Sequence, residues 1–257
     1  MQRRKLVRYL GASVLSASGL GLTSQLQSAF AQTGGSVSIQ WLGHTCFLFT
    51  GGGRRILVNP FLKIGCTANY RPPTVPADLV FLSSRLLDEG YVEGLPGNPR
   101  ILFEPGVYQL NNTQVQGIST DHDRFGGRRF GINVAWRWNQ GGLNILHLGG
   151  VGGAITVEQK ILMGRPDVLF IPVGGGPKAL NAEEAKTAIT TLNPKLVIPT
   201  HFRTKAADDK NCDITSVDEF LKLVPKDSVK PLANKFTLKS TDLPSSGFVV
   251  RVPSYSF

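Results

Sequence analysis

Four histidines, at positions 44, 122, 147 and 201, and three cysteines, at 46, 66 and 212, are all the imidazole and thiol groups in this 257-residue chain. That supply excludes a site of five or six histidines, a zinc module of four cysteines and a disulfide-dense scaffold. Smaller chemistries remain open. His122 stands between two acids in Asp121-His122-Asp123, which can satisfy it by hydrogen bonding. Cys46 follows His44 by two residues, and strand-like alternation puts both on one face, the relation a thiol nucleophile needs with its base. Cys46 also reads simply as a small buried hydrophobe. Arg124, Arg128 and Arg129 cluster just after His122. With the Gly174-Gly175-Gly176 loop they could line a pocket for phosphate or carboxylate, or flank a solvated turn at Gly126-Gly127. The glycine loop lacks the Lys-Ser/Thr ending of a P-loop, so nucleotide binding is not supported.

These groups need elements to position them. Val37–Leu42 alternates with period two, and Cys46–Phe49 follows a bend at Gly43-His44-Thr45. Gly51-Gly52-Gly53 turns the chain into a return strand at Arg55–Val58. Leu79–Leu82 reads as a fully buried strand, and further strands are expected at Arg100–Phe103, Gln114–Ile118, Ile132–Trp138 and Asn144–Leu148. The second half alternates strand and helix. Strands are expected at Asp167–Pro172 and Lys195–Thr200, and Asn181 with Glu184 forms a capping-box variant opening a helix to about Leu192. A short helix starts near Ser216. Buried strands joined by crossover helices indicate a mixed α/β sandwich in one domain, residues 36–257.

The first 31 residues read as an address. Arg3, Arg4, Lys5 and Arg8 precede a weakly apolar stretch rich in Gly and Ser, and Ala29-Phe30-Ala31 supplies an A-x-A site. The paired arginines resemble a twin-arginine export signal, implying a periplasmic destination, or the thylakoid lumen in a photosynthetic source. An uncleaved membrane anchor is the alternative; after cleavage no membrane span is expected. Removal of residues 1–31 takes four positive charges and no negative ones, lowering the net charge from +10 to +6. Without long Lys/Arg runs, that excess does not indicate nucleic-acid binding. An oxidising compartment would permit one disulfide among the three cysteines, whose pairing the sequence leaves open.

Several segments, in order, resemble the metallo-β-lactamase superfamily, in the branch of small zinc-dependent hydrolases typified by ascorbate-6-phosphate lactonase-like proteins. They are Trp41–Phe47 (WLGHTCF), Ile56–Phe61 (ILVNPF), Ala77–Leu82 (ADLVFL), Ile145–Gly149 (ILHLG), Asp167–Pro177 (DVLFIPVGGGP) and Pro194–His201 (PKLVIPTH). The resemblance implies a four-layer αββα sandwich with its site along one edge of the paired sheets. The family's Thr-His-x-His-x-Asp-His segment, source of most ligands for two zinc ions, reads Ser83-Ser84-Arg85-Leu86-Leu87-Asp88-Glu89 here. Its three histidines are replaced by Ser84, Leu86 and Glu89, and Asp88 alone is kept. The bridging aspartate is Gly150, a later histidine is Gly153, and the usual Asp of the ILVDP-type segment is Asn59.

Zinc requires three or four N, S or O donors, and a dinuclear pair needs carboxylate charge between its ions. Leu86 and Gly150 cannot donate, so the resemblance implies loss of the two-zinc centre. The donors it leaves for one cleft are Asp88, Glu89, His122 and His201, with His44 and His147 in framework positions. Two readings follow. In the first, no cofactor is needed: the exported fold is a binding or scaffold-type pseudoenzyme whose old cleft takes a small anionic ligand or a protein partner, Asp88 and Glu89 capping a helix. In the second, Asp88, Glu89, His122 and His201 hold one Zn, Mn or Fe ion for hydrolysis of an ester, lactone or phosphodiester. Arg85 or Arg124 would then stabilise the developing oxyanion.

Overall fold

A computed structural model describes residues 35–110 and 113–255; the signal-type segment 1–31 lies outside the described residues. The chain opens with an antiparallel meander, β1 (Ser36–Gly43), β2 (Cys46–Gly51) and β3 (Arg54–Val58), to which β4 (Leu79–Phe81) and β5 (Arg100–Leu102) add in parallel. A second meander follows: β6 (Gly106–Leu110), β7 (Thr113–Asp121), β8 (Ile132–Gln140) and β9 (Leu143–His147). The remaining elements are α1 (Val157–Met163), β10 (Val168–Pro172), α2 (Ala182–Leu192), β11 (Leu196–Thr200), α3 (Val217–Leu221), β12 (Val229–Leu232), β13 (Lys235–Lys239) and β14 (Val249–Pro253). Two sheets result, ordered β13-β1-β2-β3-β4-β5 and β12-β14-β11-β10-β9-β8-β7-β6.

Patterning explains which strands go where. In β1 the odd residues Val37, Ile39 and Trp41 are buried and their neighbours are half-exposed or exposed, as a strand covered on one face requires. Strands β10 and β11 are buried at every position because neighbours flank both edges and α2 lies in their crossover. Aromatic rings from the two sheets meet between them. Phe49 packs edge-on against Trp138 and Phe170, at centroid distances of 5.0 and 5.2 Å, and Phe81 stacks on Trp136 at 5.0 Å. Such pairs add about 0.5–1.5 kcal/mol each beyond the apolar area they bury. The Gln140 amide donates across to the carbonyls of Gly51 and Arg54, tying the second sheet to the first hairpin.

The expected α/β sandwich is present, with few helices: α1, α2 and α3 all fall in connections of the eight-stranded sheet. Helix α2 starts as expected, Asn181 accepting from Glu184 N and the Glu184 carboxylate from Asn181 N. Elements β6, α1 and β12–β14 were not anticipated, and β13 is the least local of them, returning the chain to pair with β1. Cys66 and Cys212, 146 residues apart, form the disulfide, leaving Cys46 free and buried. Among the described residues no helix is long and apolar enough to cross a membrane.

Candidate metal centre

The β1–β2 turn and the exits of β4, β7, β9, β10 and β11 bring six segments together at one edge of the sandwich. This is where an open α/β sheet offers backbone free of ladder pairing. Four non-glycine residues among those described have left-handed backbone, and three lie here: His44 (φ 53°), Asn59 (φ 51°) and His201 (φ 50°). The fourth, Asn193, ends α2. His and Asn tolerate this region better than most residues, but it still costs of the order of 1 kcal/mol each and needs local compensation. The carbonyl of His44 accepts from Trp41 Nε1 at 3.1 Å, and that of His201 from Gly174 N at 3.0 Å. Asn59 Oδ1 accepts from Ser83 N at 2.8 Å, which fixes the chain leaving β4. Backbone bonds from Leu62 N to Leu87 O and from Tyr91 N to Pro60 O hold the following turn, which carries Asp88 and Glu89.

Three donors converge. One ligand-capable atom from each of His44, Asp88 and His201 lies within 4.8 Å of the other two. His44 and His201 are almost fully buried, their rings 4.3 Å apart centre to centre. His44 Nε2 and His201 Nδ1 are buried with no hydrogen-bond partner, and Asp88 Oδ2 lies 3.8 Å from His44 Nε2. Burial, reinforced by the Lys178 charge, pushes the His44 pKa down to about 3. Burial also holds His201 well below the ordinary imidazole value, with the His44 and Lys178 charges acting in the same direction. Both rings are therefore neutral at physiological pH, with lone pairs available. Of eight buried, unpartnered side-chain polar atoms among the described residues, all but one (on Arg54) belong to segments at this edge.

The neighbouring pair is bonded to itself instead, with Glu89 Oε2 left without a partner. Glu89 Oε1 lies 2.5 Å from His122 Nε2 and accepts from Ser84 Oγ at 2.7 Å, while His122 Nδ1 donates to the Lys178 carbonyl at 2.9 Å. Burial works against both charges, yet the mutual attraction and hydrogen bond outweigh it. Glu89 is held below the usual carboxylate range and His122 is raised above the usual imidazole value. The pair is a carboxylate–imidazolium contact with almost no solvent exposure.

The family model described as "Beta-lactamase superfamily domain" matches residues 38–201. A protein from Thermotoga maritima, described as a Zn-dependent hydrolase of the metallo-β-lactamase superfamily, is 32% identical and superposes with a TM-score of 0.67 over 84% of this chain and 98% of that one. The chain belongs to the metallo-β-lactamase superfamily. A UPF0173 metal-dependent hydrolase of Thermoplasma acidophilum is 24% identical over 196 residues, 66% of this chain and 84% of its own length. A diiron β-hydroxylase from Streptomyces venezuelae shares the fold alone, at 14% identity and a TM-score of 0.54, over 79% of this chain and 54% of that one.

Within this metallo-β-lactamase fold, other side chains fill the space beside Gly150 and Gly153. A Cβ on Gly150 would stand 2.4 Å from His122 Cε1 and 2.9 Å from both Glu89 oxygens. The Glu89–His122 pair occupies the space a side chain at 150 would need. A Cβ on Gly153 would meet Asp121 Cβ at 2.9 Å. The four donors anticipated from the sequence therefore split: Asp88 and His201 join His44, and Glu89 and His122 bond each other. Asp88 and Glu89 sit in turns rather than capping a helix.

The other anticipated groups are placed as follows. Arg124 is engaged by its own fold, Nε and Nη2 donating to Glu184 and Nη1 and Nη2 to the carbonyls of Gly176 and Ala179, which leaves it no role at an oxyanion. Arg85 is exposed and stacks 4.1 Å over the Phe103 ring. The flanking acids do not bond His122: Asp123 accepts four backbone N–H groups of its own loop, from Phe125, Gly127, Arg129 and Phe130. His147 Nδ1 accepts from Gly149 N and Nε2–H donates to Thr45 O, so the ring is neutral and burial lowers its pKa to about 4. Burial keeps the Cys46 thiol protonated, the wrong state for a nucleophile.

Two site residues escaped the sequence reading. His44 was placed in the framework, although a histidine at a two-residue bend between strands is itself a signal. Lys178 follows the glycine loop after β10, and its ammonium forms an ion pair with Asp88. A cavity of about 910 Å³ adjoins Asp88 and Lys178, with Lys63, Arg129, Leu86 and Phe130 among its lining.

Proposed function

We propose that this chain is a metal-dependent hydrolase with one divalent ion held by His44, Asp88 and His201. The observation that carries the reading is the pair of buried, neutral, unpartnered nitrogens, His44 Nε2 and His201 Nδ1, beside a carboxylate. Two imidazoles and one carboxylate suit Zn, Mn or Fe(II) and leave coordination positions open. A second ion is disfavoured by the space that Glu89 and His122 fill against Gly150. A divalent ion bound at such a site polarises a carbonyl or phosphoryl oxygen and lowers the pKa of water.

The chain's own groups prepare the site around it. Burial keeps both imidazoles unprotonated, so no proton must leave before they can donate. The Glu89–His122 pair holds the Lys178 carbonyl and so fixes the loop beside Asp88. The adjoining cavity admits a substrate the size of an ester, lactone or phosphodiester. The relatives' descriptions as metal-dependent hydrolases favour this reading over a binding or scaffold-type pseudoenzyme. The specific support for the latter is the Lys178 ammonium, which already neutralises Asp88 without metal.

Export through a twin-arginine route, to the periplasm or a thylakoid lumen, belongs to the same proposal. It is supported by the Arg3-Arg4 segment and by a disulfide suited to an oxidising compartment. The decisive experiment is metal analysis of protein produced with zinc, manganese and iron, beside Asp88→Ala and His201→Ala. One equivalent in the native chain and loss in both variants is expected. No stoichiometric metal under any supplement would return the chain to the pseudoenzyme reading.

A further inference from the structure

Lys178 is held in place from both sides. Its backbone carbonyl accepts from His122 Nδ1, and the loop leading to it lies directly on His201: Gly174 N donates to His201 O, and a Cβ on Gly174 would stand 2.2 Å from that oxygen. Gly175 and Gly176 take φ of 71° and 77°, turning the chain so that the side chain of Lys178 reaches Asp88. The ammonium contacts Oδ2, the same oxygen that lies 3.8 Å from His44 Nε2. Its charge is felt at His44, His201, Glu89 and His122 alike. A metal ion bonded to that carboxylate and to both imidazoles would stand close to the ammonium that now contacts Oδ2. At such separations a dication and an ammonium repel strongly, even with substantial solvent screening.

We propose that Lys178 is a built-in counter-cation that exchanges with the metal ion at Asp88. In the metal-free protein the ammonium neutralises the carboxylate, so the site stays folded without an ion. On loading, the side chain leaves Asp88 for the adjoining cavity, which it already lines with Lys63 and Arg129. Asp208 and Asp213 line the same cavity and give the released ammonium acidic neighbours. Metal affinity is thereby set below what two imidazoles and a carboxylate would otherwise confer, and loading becomes reversible. This inference rests on the metal reading above.

The test uses zinc titrations of the whole protein as native chain, Lys178→Met and Lys178→Arg, with lysine acylation mapped by mass spectrometry with and without zinc. Lys178→Met is expected to bind zinc at least about tenfold more tightly than the native chain, with Lys178→Arg close to native. Zinc is expected to raise acylation of Lys178 several-fold while exposed Lys63 serves as internal reference. Tight binding by Lys178→Met where the native chain binds none would also support exchange. Equal one-to-one affinities in native and Lys178→Met protein would overturn exchange and leave the metal centre standing. Zinc binding by neither would remove the metal reading and this one with it. If Lys178→Met does not fold, the native labelling decides: zinc bound with Lys178 acylation unchanged overturns the proposal.

Discussion

A histidine pair and a histidine–carboxylate pair lie side by side at the edge of this sandwich, equally buried and in opposite states. His44 and His201 face each other with a nitrogen apiece that meets no partner, and burial, reinforced by the Lys178 charge, keeps them neutral. His122 is as deeply buried, yet Glu89 at 2.5 Å and the Lys178 carbonyl engage both its nitrogens and stabilise the cation. Burial therefore does not decide an imidazole's charge; the group it faces does. The neutral pair retains imidazole lone pairs and can hold a metal, whereas both nitrogens of His122 are engaged and serve to position the Lys178 loop.

Acid separates the two pairs most strongly. A buried imidazole with lowered pKa is neutral when folded and protonated when unfolded, so its contribution to stability is present above about 6.5 and lost as pH falls toward the folded value. His44, His147 and His201 all act in this direction, with folded values of about 3 for His44 and about 4 for His147. His122 acts oppositely: its raised value stabilises at low pH and that contribution fades as pH rises through it. Each of the three neutral rings is worth up to about 1.4 kcal/mol per pH unit below 6.5, so the unfolding free energy of the metal-free protein from urea denaturation should fall by on the order of several kcal/mol between pH 7 and 5. A flat profile there would mean these rings are not neutral.

Glu89→Ala comes next. It leaves a buried His122 without its counter-charge and should cost about 3–5 kcal/mol by equilibrium denaturation, with the His122 titration, followed by NMR, moving below its native value. Gly150→Ala drives a methyl group against the same pair and should cost about 1–3 kcal/mol. A tolerated alanine there would show that Glu89 and His122 can move apart. Smallest in stability, and sharpest in function, are His44→Asn and His201→Asn. Asparagine suits left-handed backbone, so stability should stay within about 1 kcal/mol of native while metal retention in dialysis is lost. Metal kept by both variants would displace the site from this triad.

Much of the sandwich was readable because strand periodicity is local: Val37–Leu42, Cys46–Phe49 and the buried runs at 168–172 and 196–200 carry their own burial pattern. The capping box at Asn181 and Glu184 was readable for the same reason. Strand β13 was not, because its partner β1 lies almost two hundred residues earlier and nothing local announces the pairing. The site divided in the same way. Its chain segments were found by their order and motifs, but partnership within it was misassigned: four donors were expected together, and the fold separated them into two pairs while adding His44.

The sequence by itself determined the donor supply: four histidines, three cysteines and the adjacent acids Asp88 and Glu89. It also determined that no side chain would stand at position 150. Only the tertiary structure decided which donors remain free, because a nitrogen's lone pair is kept or consumed by whatever a distant segment places within about 3 Å of it. For His122 that group is Glu89, 33 residues away, together with the carbonyl of Lys178; for His44 Nε2 nothing arrives.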